Sequence, residues 1–298
     1  MSEIFDFLKK TEANRRNNLP VQEPVPSMSP AESEKIPVSE ITASQVVDVS
    51  LPAEIEICDA DRFDITGASL EIKSVLNPLT YVGEQFRLLR SRLGLMQKQR
   101  GIKSVLVTSS VPAEGKTFTA SGLAGVFAQE PGKRVLLIDA DMRKAKSGVN
   151  FGLNGSAAGR GLSEILNGSQ EFRRGLLTSM NPEFSFLPSG PLPSNPSELL
   201  SSQYLEQALR TAAEEFDWVI VDSPPVLSLS DAILLSPLCD TVVLVVRAKS
   251  TPSKLVQDTI KRLGPDHICG IVLNRQKQAQ KSHYYYQYYY RGSKRSKD

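Results

Sequence analysis

The chain has 298 residues, 35 Lys and Arg against 33 Asp and Glu, a formal net charge of +2 and 40% hydrophobic residues. That length fits one large domain with appendages, and the charge balance gives no global excess that would argue for nucleic acid. No apolar run is long enough to span a membrane, and residues 1–16 lack a signal peptide's uncharged apolar stretch, so the expected location is the cytosol.

Residues 2–16 can form a short amphipathic helix, with Ser2 as cap and Ile4, Phe5 and Leu8 on one side. A frayed terminus is the competing reading. Residues 17–60 are rich in Pro, Ser and Glu and poor in aromatics. Such a segment buries too little apolar surface to offset its ordering entropy, so a disordered linker is expected. Order is expected to begin between Glu54 and Leu70, with the folded domain taken as 61–275. Cys58, Cys239 and Cys269 lack metal-ligand spacing and read as reduced residues in or near the core.

A helix is expected over Leu79–Met96. It carries Glu84, Arg87 and Arg90 at three-residue intervals on one face, which alone could be a solvated charged face. Residues 103–119 organise the rest. Val105-Leu106-Val107 reads as a buried strand, small and turn-forming residues follow, then Gly115-Lys116-Thr117, then a helix over Ala120–Gln129. Strand, tight loop, Gly-Lys-Thr and helix is the layout of a phosphate-binding loop. Loop amides and a helix N-terminus attract phosphate, Lys116 would reach the β- and γ-phosphates, and the Thr117 hydroxyl suits Mg²⁺. Ser110 stands where such loops usually begin with glycine.

Further strands are expected at Val135–Ile138, ending in Asp139-Ala-Asp141-Met-Arg143, and at Phe184–Leu187, Trp218–Val221, Thr241–Val246 and Ile268–Leu273. Helices are expected at Gly161–Leu166, at Pro196 with Asn195 as cap, at Gln203–Glu215 and at Ser253–Leu263. Short apolar strands alternating with helices imply an α/β fold, a doubly wound and mostly parallel sheet. Ligands bind at the carboxyl ends of such strands, so Lys116, Asp139, Asp141, Asp222 and Asn274 should converge on one crevice. The tail, 276–298, holds Tyr284, Tyr285, Tyr286, Tyr288, Tyr289 and Tyr290 among basic residues. It could be a sticky edge strand, a stacking platform for single strands or a bank of phosphate acceptors. The nucleotide site beside it favours the last.

Together these residues resemble the bacterial tyrosine autokinases, the BY-kinases of capsule and exopolysaccharide export, over roughly Leu79–Tyr290. Ser109–Thr117 is similar to that family's Walker A, Leu137–Arg143 to its Walker A′, Val219–Pro225 to its Walker B, and Gly190–Leu200 to its Gly-x-x-Pro-x-Asn-Pro-x-Glu-Leu-Leu segment. Glu84-x-x-Arg87-x-x-Arg90 resembles the motif by which such kinases assemble into rings, and the tyrosine tail completes the set. Ala145 departs from the proline that many relatives carry there.

The resemblance implies a P-loop NTPase architecture related to the ParA/MinD-like ATPases. It implies ATP and Mg²⁺ as cofactors, with Ser110, Pro112, Ala113, Glu114, Gly115, Lys116, Thr117, Phe118 and Arg143 around the nucleotide. Asn274 falls at the adenine contact of related ATPases or is a plain strand-end cap. Thr117, Asp139, Asp141 and Asp222 would hold the metal. Lys116, Asp139 and Asp141 would be catalytic, with either aspartate as the base. Implied partners are copies of the chain in a ring, a separate membrane-bound co-polymerase activator that recruits it to the inner face of the cell membrane, and a cognate tyrosine phosphatase, with no nucleic acid. Two other functions compete: an ATPase switch that transfers nothing to protein, and a non-catalytic adaptor. The tyrosine tail and the Glu84 motif separate the kinase from the switch, and the intact Lys116, Thr117 and aspartates argue against the adaptor.

Overall fold

The computed structural model describes residues 62–153 and 159–276. The readings for residues 1–61, including Cys58, and for the tyrosine tail lie outside the described residues. The strands within them are β1 (Arg62–Phe63), β2 (Ser104–Ser109), β3 (Val135–Asp139), β4 (Leu177–Met180), β5 (Glu183–Leu187), β6 (Trp218–Asp222), β7 (Thr241–Arg247) and β8 (Ile268–Asn274). They form one eight-stranded sheet in the order β1-β4-β5-β3-β6-β2-β7-β8. Every neighbouring pair is parallel except β4 with β5.

The central strands are buried on both faces, which is why they read as unbroken apolar runs rather than alternating ones. Their side chains divide strictly by the two-residue period of a strand. Leu106, Leu136, Ile138, Val219 and Val221 enter the core on one side. Val105, Val107, Val135, Leu137, Trp218 and Ile220 enter the core on the other. The short strands β1 and β4, unlike these, were not expected. Leu177-Thr-Ser-Met180 is short, half exposed and polar at two positions, so it carries no apolar run.

On one face lie α1 (Leu70–Leu76), α2 (Tyr81–Arg100) and α3 (Lys116–Ala128). The other face is covered by α5 (Leu162–Leu166), α7 (Gln203–Glu215) and α8 (Asp231–Leu235). Short α4 (Ser147–Asn150) and α6 (Pro196–Leu199) and amphipathic α9 (Ser253–Leu263) complete the set within the described residues. Helix α1, capped by Ser69 and buried through Ile72 and Val75, was not expected, whereas α7 and α9 match their expected limits. Helix α2 begins two residues later and ends four residues later than its apolar pattern. Thr80 caps it by accepting from the Gly83 amide, and Gly101, at φ 72°, ends it. Its last turn is polar but anchored, since the Gln97 amide donates to the carbonyls of Ile102 and Asp217.

Helix α3 begins at Lys116, four residues before its expected start, because the phosphate loop runs straight into it. Its glycines admit the helices above: a Cβ at Gly122 would lie 2.6 Å from Phe86, and one at Gly125 would lie 2.7 Å from Leu76. Below, Phe127 stacks on Trp218 with ring centroids 4.2 Å apart, both rings about 1% exposed. Phe127→Ala is expected to cost about 3–5 kcal/mol, transfer energy plus the cavity left. Urea unfolding followed by the fluorescence of Trp218, the chain's one tryptophan, measures this directly, and an unchanged midpoint would contradict the packing described.

Candidate active site

The carboxyl ends of β2, β3 and β6 meet because of register. Asp139 sits directly opposite Asp222, and Asp222 opposite Val107. From β2 the chain turns through Ser110–Gly115, with Ala113 at φ 66° and Gly115 at φ 97°, and Gly115 occupies the N-cap of α3. Lys116 is therefore the first residue of a helix whose free amides face the same crevice. Its Nζ lies 2.7 Å from Asp141 Oδ2 and 3.8 Å from Asp222 Oδ1 and donates to Thr117 Oγ1 at 3.2 Å. Burial works against the ammonium charge, but Asp222 and Asp141 beside it win and hold its pKa above the ordinary lysine value.

The aspartates have different tasks. Asp139 Oδ1 accepts from the Asp141 amide at 3.1 Å, and Oδ2 from the Ser147 amide at 2.9 Å. The carboxylate thus closes the loop between β3 and α4. Burial, reinforced by Asp222, pushes its pKa up to about 7 despite those two donors. Asp222 is fully buried, and burial raises its pKa too, with Lys116 pulling the other way. Its Oδ2 accepts from the Ser147 hydroxyl at 3.0 Å, while Oδ1 has no hydrogen-bond partner. Ser147, which bridges both aspartates, was not singled out in the sequence. A lone serine after a basic loop carries no pattern that marks it.

Among the described residues, no group of three or more His, Cys, Asp or Glu is arranged to hold a metal ion. Of the expected set Thr117, Asp139, Asp141 and Asp222, Asp139 here accepts from two amides and Asp141 pairs with Lys116. Mg²⁺ needs less, because it is commonly held by one or two carboxylates plus substrate phosphates and waters. The orphaned Asp222 Oδ1, in a cluster with Thr117 and Lys116, fits such an ion.

The loop is also tied from behind. Glu114, 1% exposed, accepts from the Val111 amide at 2.9 Å, the Arg247 amide at 3.2 Å and the Thr251 hydroxyl. Its backbone carbonyl accepts from Asn274 Nδ2 at 2.8 Å. Ser110 is buried with its hydroxyl unpartnered, and Phe118 packs edge-on against Phe86 at 5.5 Å, part of the core. Arg143 donates through Nε to Asp231 Oδ2 at 3.0 Å and through Nη2 to Ser197 Oγ at 2.9 Å. Ser197 in turn bonds buried Asp231 at 2.7 Å. These bonds, above all the one to Asp231, raise the Arg143 pKa and join the 190–200 segment to the site. Asn195 holds the N-cap position of α6, but its side chain bonds Glu198 instead of capping. At the departure noted above, Ala145 has φ 44° and its amide donates to the Asp141 carbonyl at 2.8 Å. Proline could make neither feature, so this loop follows its own path.

The three residues of the ring motif do not present one free face. Arg87 Nε pairs with Glu84 at 3.0 Å and Nη2 with the Pro78 carbonyl at 2.8 Å. Arg90 reaches instead to the end of α3, bonding the Val126 carbonyl at 2.7 Å and Glu130 at 3.0 Å. A cation on a helix C-terminus is favourable, so Arg90 has a structural role within its own chain. Cys239 is buried and Cys269 half-buried, both free thiols, and burial pushes the Cys239 thiol up to about 12.

A family profile described as an AAA domain matches residues 111–263. The Bacillus subtilis tyrosine-protein kinase YwqD is 35% identical over 215 residues, covering 72% of this chain and 89% of that one. The chain belongs to the bacterial tyrosine-protein kinase family. The Salmonella typhimurium tyrosine-protein kinase wzc is 34% identical over 74% of this chain, and this chain spans 31% of that longer protein. Among solved structures, the kinase domain of the Escherichia coli tyrosine kinase ETK is similar with a TM-score of 0.63 at 33% identity, covering 70% of this chain and 82% of that one. The VpsO kinase domain is similar with a TM-score of 0.57 at 30% identity, covering 66% of this chain and all of that one.

For this tyrosine kinase the Asp139 environment gives a pH signature. Its folded pKa of about 7 lies above the ordinary value of 3.8, so the native state holds more protons than the unfolded chain between those values. Stability of the nucleotide-free protein should therefore fall as pH rises from about 4 to about 7. Urea titrations at pH 5.5 and 7.5 check the sign, and Asp139→Asn should flatten the difference.

Proposed function

We propose that this chain is an autokinase that transfers the ATP γ-phosphoryl group to its own tyrosines, Tyr284, Tyr285, Tyr286, Tyr288, Tyr289 and Tyr290, in trans within an oligomer. Through that transfer it would regulate the polymerisation and export of a capsule or exopolysaccharide. The observation that carries this reading is Lys116 at the N-terminus of α3, set between Asp141 and Asp222, in a chain of the tyrosine-kinase family. Loop amides and Lys116 bind the β- and γ-phosphates and orient the γ-phosphorus for attack. Thr117 and Asp222 would hold Mg²⁺, which neutralises phosphate charge when bound. As the tyrosine oxygen bonds to phosphorus, its proton passes to a carboxylate and the bond to the β-phosphate oxygen breaks, releasing ADP. Asp139 is the first candidate for that carboxylate, as the family resemblance implies, with Asp141 the alternative. Asp141 then sets the position of Lys116.

No helix among the described residues is long and apolar enough to cross a membrane. The reading includes, as the family resemblance implies, a separate membrane-bound activator that brings the chain to the inner face of the membrane, and a phosphatase that resets the tail.

Labelled ATP and Mg²⁺, followed by phosphotyrosine mapping, test this reading. Lys116→Met should abolish labelling, and Phe at all six tail tyrosines should remove nearly all of it. Label mainly on serine, or on Tyr81, would refute the mapping, and ATP hydrolysis without label would favour an ATPase switch.

Transfer in trans has its own test. A Lys116→Met chain mixed with a tail-less active chain should become labelled, at a rate that rises with concentration. Glu84→Ala with Arg87→Ala should give a smaller particle that phosphorylates poorly. Arg90 is best left intact there, because its bonds to α3 would confound assembly with stability.

A further inference from the structure

Asn274 ends β8, where an adenine contact is one reading of it. Its carboxamide bonds the chain at both ends: Nδ2 donates to the Glu114 carbonyl at 2.8 Å, and Oδ1 accepts from the Arg275 amide at 2.8 Å. The fit against the phosphate loop is close. A Cβ at Gly115 would fall 1.9 Å from Asn274 Nδ2, so only glycine leaves room for the contact. Nδ2 and Oδ1 each keep one further hydrogen-bonding position, so it is the close contact with the loop that marks Asn274 as a support.

The same segment of the loop is gripped a second time. Glu114 is buried in the protein, where an ionised carboxylate is costly unless donors satisfy it. Its Oε2 takes the Val111 amide, which closes the loop on itself, while Oε1 takes the Arg247 amide and the Thr251 hydroxyl. Lys249, at φ 60°, turns the chain between those two donors so that both meet one oxygen. The two grips are not independent in space. Arg247 is the register partner of Asn274 across β7 and β8, and the Ala248 amide bonds the Asn274 carbonyl at 2.9 Å. The loop therefore hangs on one rigid corner of the sheet.

We propose that Glu114, Thr251 and Asn274 form a clamp of positioning residues that fixes the phosphate loop whatever base the nucleotide carries. Aiming loop amides at phosphate needs fixed geometry, and this corner supplies it from outside the loop. The inference rests on the reading of the site as a nucleoside-triphosphate site.

The test separates loop positioning from base reading by using a ligand with no base. Binding of Mg²⁺–ATP and of Mg²⁺–tripolyphosphate to the full chain is measured by calorimetry for wild type, Asn274→Ala and Thr251→Val. The second variant keeps its shape, loses only the hydroxyl, and acts through Glu114. Both variants should weaken both ligands alike, about three- to tenfold, the scale of one lost hydrogen bond. In the double variant the losses should combine to less than their product, as expected of one coupled unit. Thermal melts of the ligand-free variants establish that they are folded. Loss of ATP affinity alone in Asn274→Ala would make it a base reader and overturn the clamp, as would unchanged affinities throughout. A wild type that binds both ligands but labels no tyrosine would overturn the kinase reading and leave the clamp standing.

Discussion

One ammonium and three carboxylates share a buried corner of this fold, and the arithmetic of their charges constrains everything around them. Lys116, Asp139, Asp141 and Asp222 are each 9% exposed or less. Fully ionised, they leave two negative charges without a partner in a region where unpaired charge is expensive. The raised pKa of Asp139 and of Asp222 expresses that tension, since a proton on either relieves part of it. A fold selected only for stability would not keep such a cluster. A divalent cation would relieve the same tension, and phosphates would then take over the lysine. The cluster thus makes chemical sense as a site that is costly when empty and balanced when loaded.

Holding that cluster falls to residues that do none of the chemistry. Ser147 bridges Asp139 and Asp222 from α4. Asp231, at the start of α8, fixes the fork of Arg143. Arg247, Thr251 and Asn274 fix the phosphate loop from the far side, all three through Glu114. In each case the support comes from a different element than the residue supported, so the site is only as rigid as the packing between elements. That is where the two cores matter. Helix α3 carries Lys116 at one end and Phe127 at the other, and the Phe127–Trp218 stack anchors it to the strand that ends in Asp222.

The central strands and the crevice were legible because a parallel sheet buried on both faces leaves unbroken apolar runs, with polar residues marking where each run stops. Val105–Val107, Val135–Ile138 and Trp218–Val221 are of this kind. Strand β4 was not legible, because its four residues include Thr178 and Ser179 and form no apolar run, although Ser179 is buried. Helix α2 was mis-measured because its last turn is held by Gln97, a polar side chain bonding distant carbonyls, and periodicity does not register that. The site's supports escaped for the same reason. Glu114 and Thr251 are 137 residues apart, and no local pattern links them. Spacing is equally silent on Arg90, since three-residue steps place it near Arg87 on the helix but say nothing of the Val126 carbonyl on α3.

The corner that holds the phosphate loop is also the point from which the tail departs, because Asn274 bonds the loop through Nδ2 and the Arg275 amide through Oδ1. Nine residues, 275–283, separate that point from Tyr284. Extended, they span at most about 30 Å. Tether length alone does not set whether a tail enters its own chain's site or a neighbour's. A preference for trans transfer must come from the oligomer, through the concentration at which it presents one chain's tail to the next chain's crevice. On the proposed trans reading, assembly of copies is then a requirement of the chemistry rather than an accompaniment to it. At the moment of transfer, charge added to the tail lies in the crevice that supplied it. Each phosphate contributes roughly −1.5 to −2 charge, beside a crevice that already has carboxylates in excess. Product would be driven from the site by the same imbalance that draws in the metal-bound nucleotide.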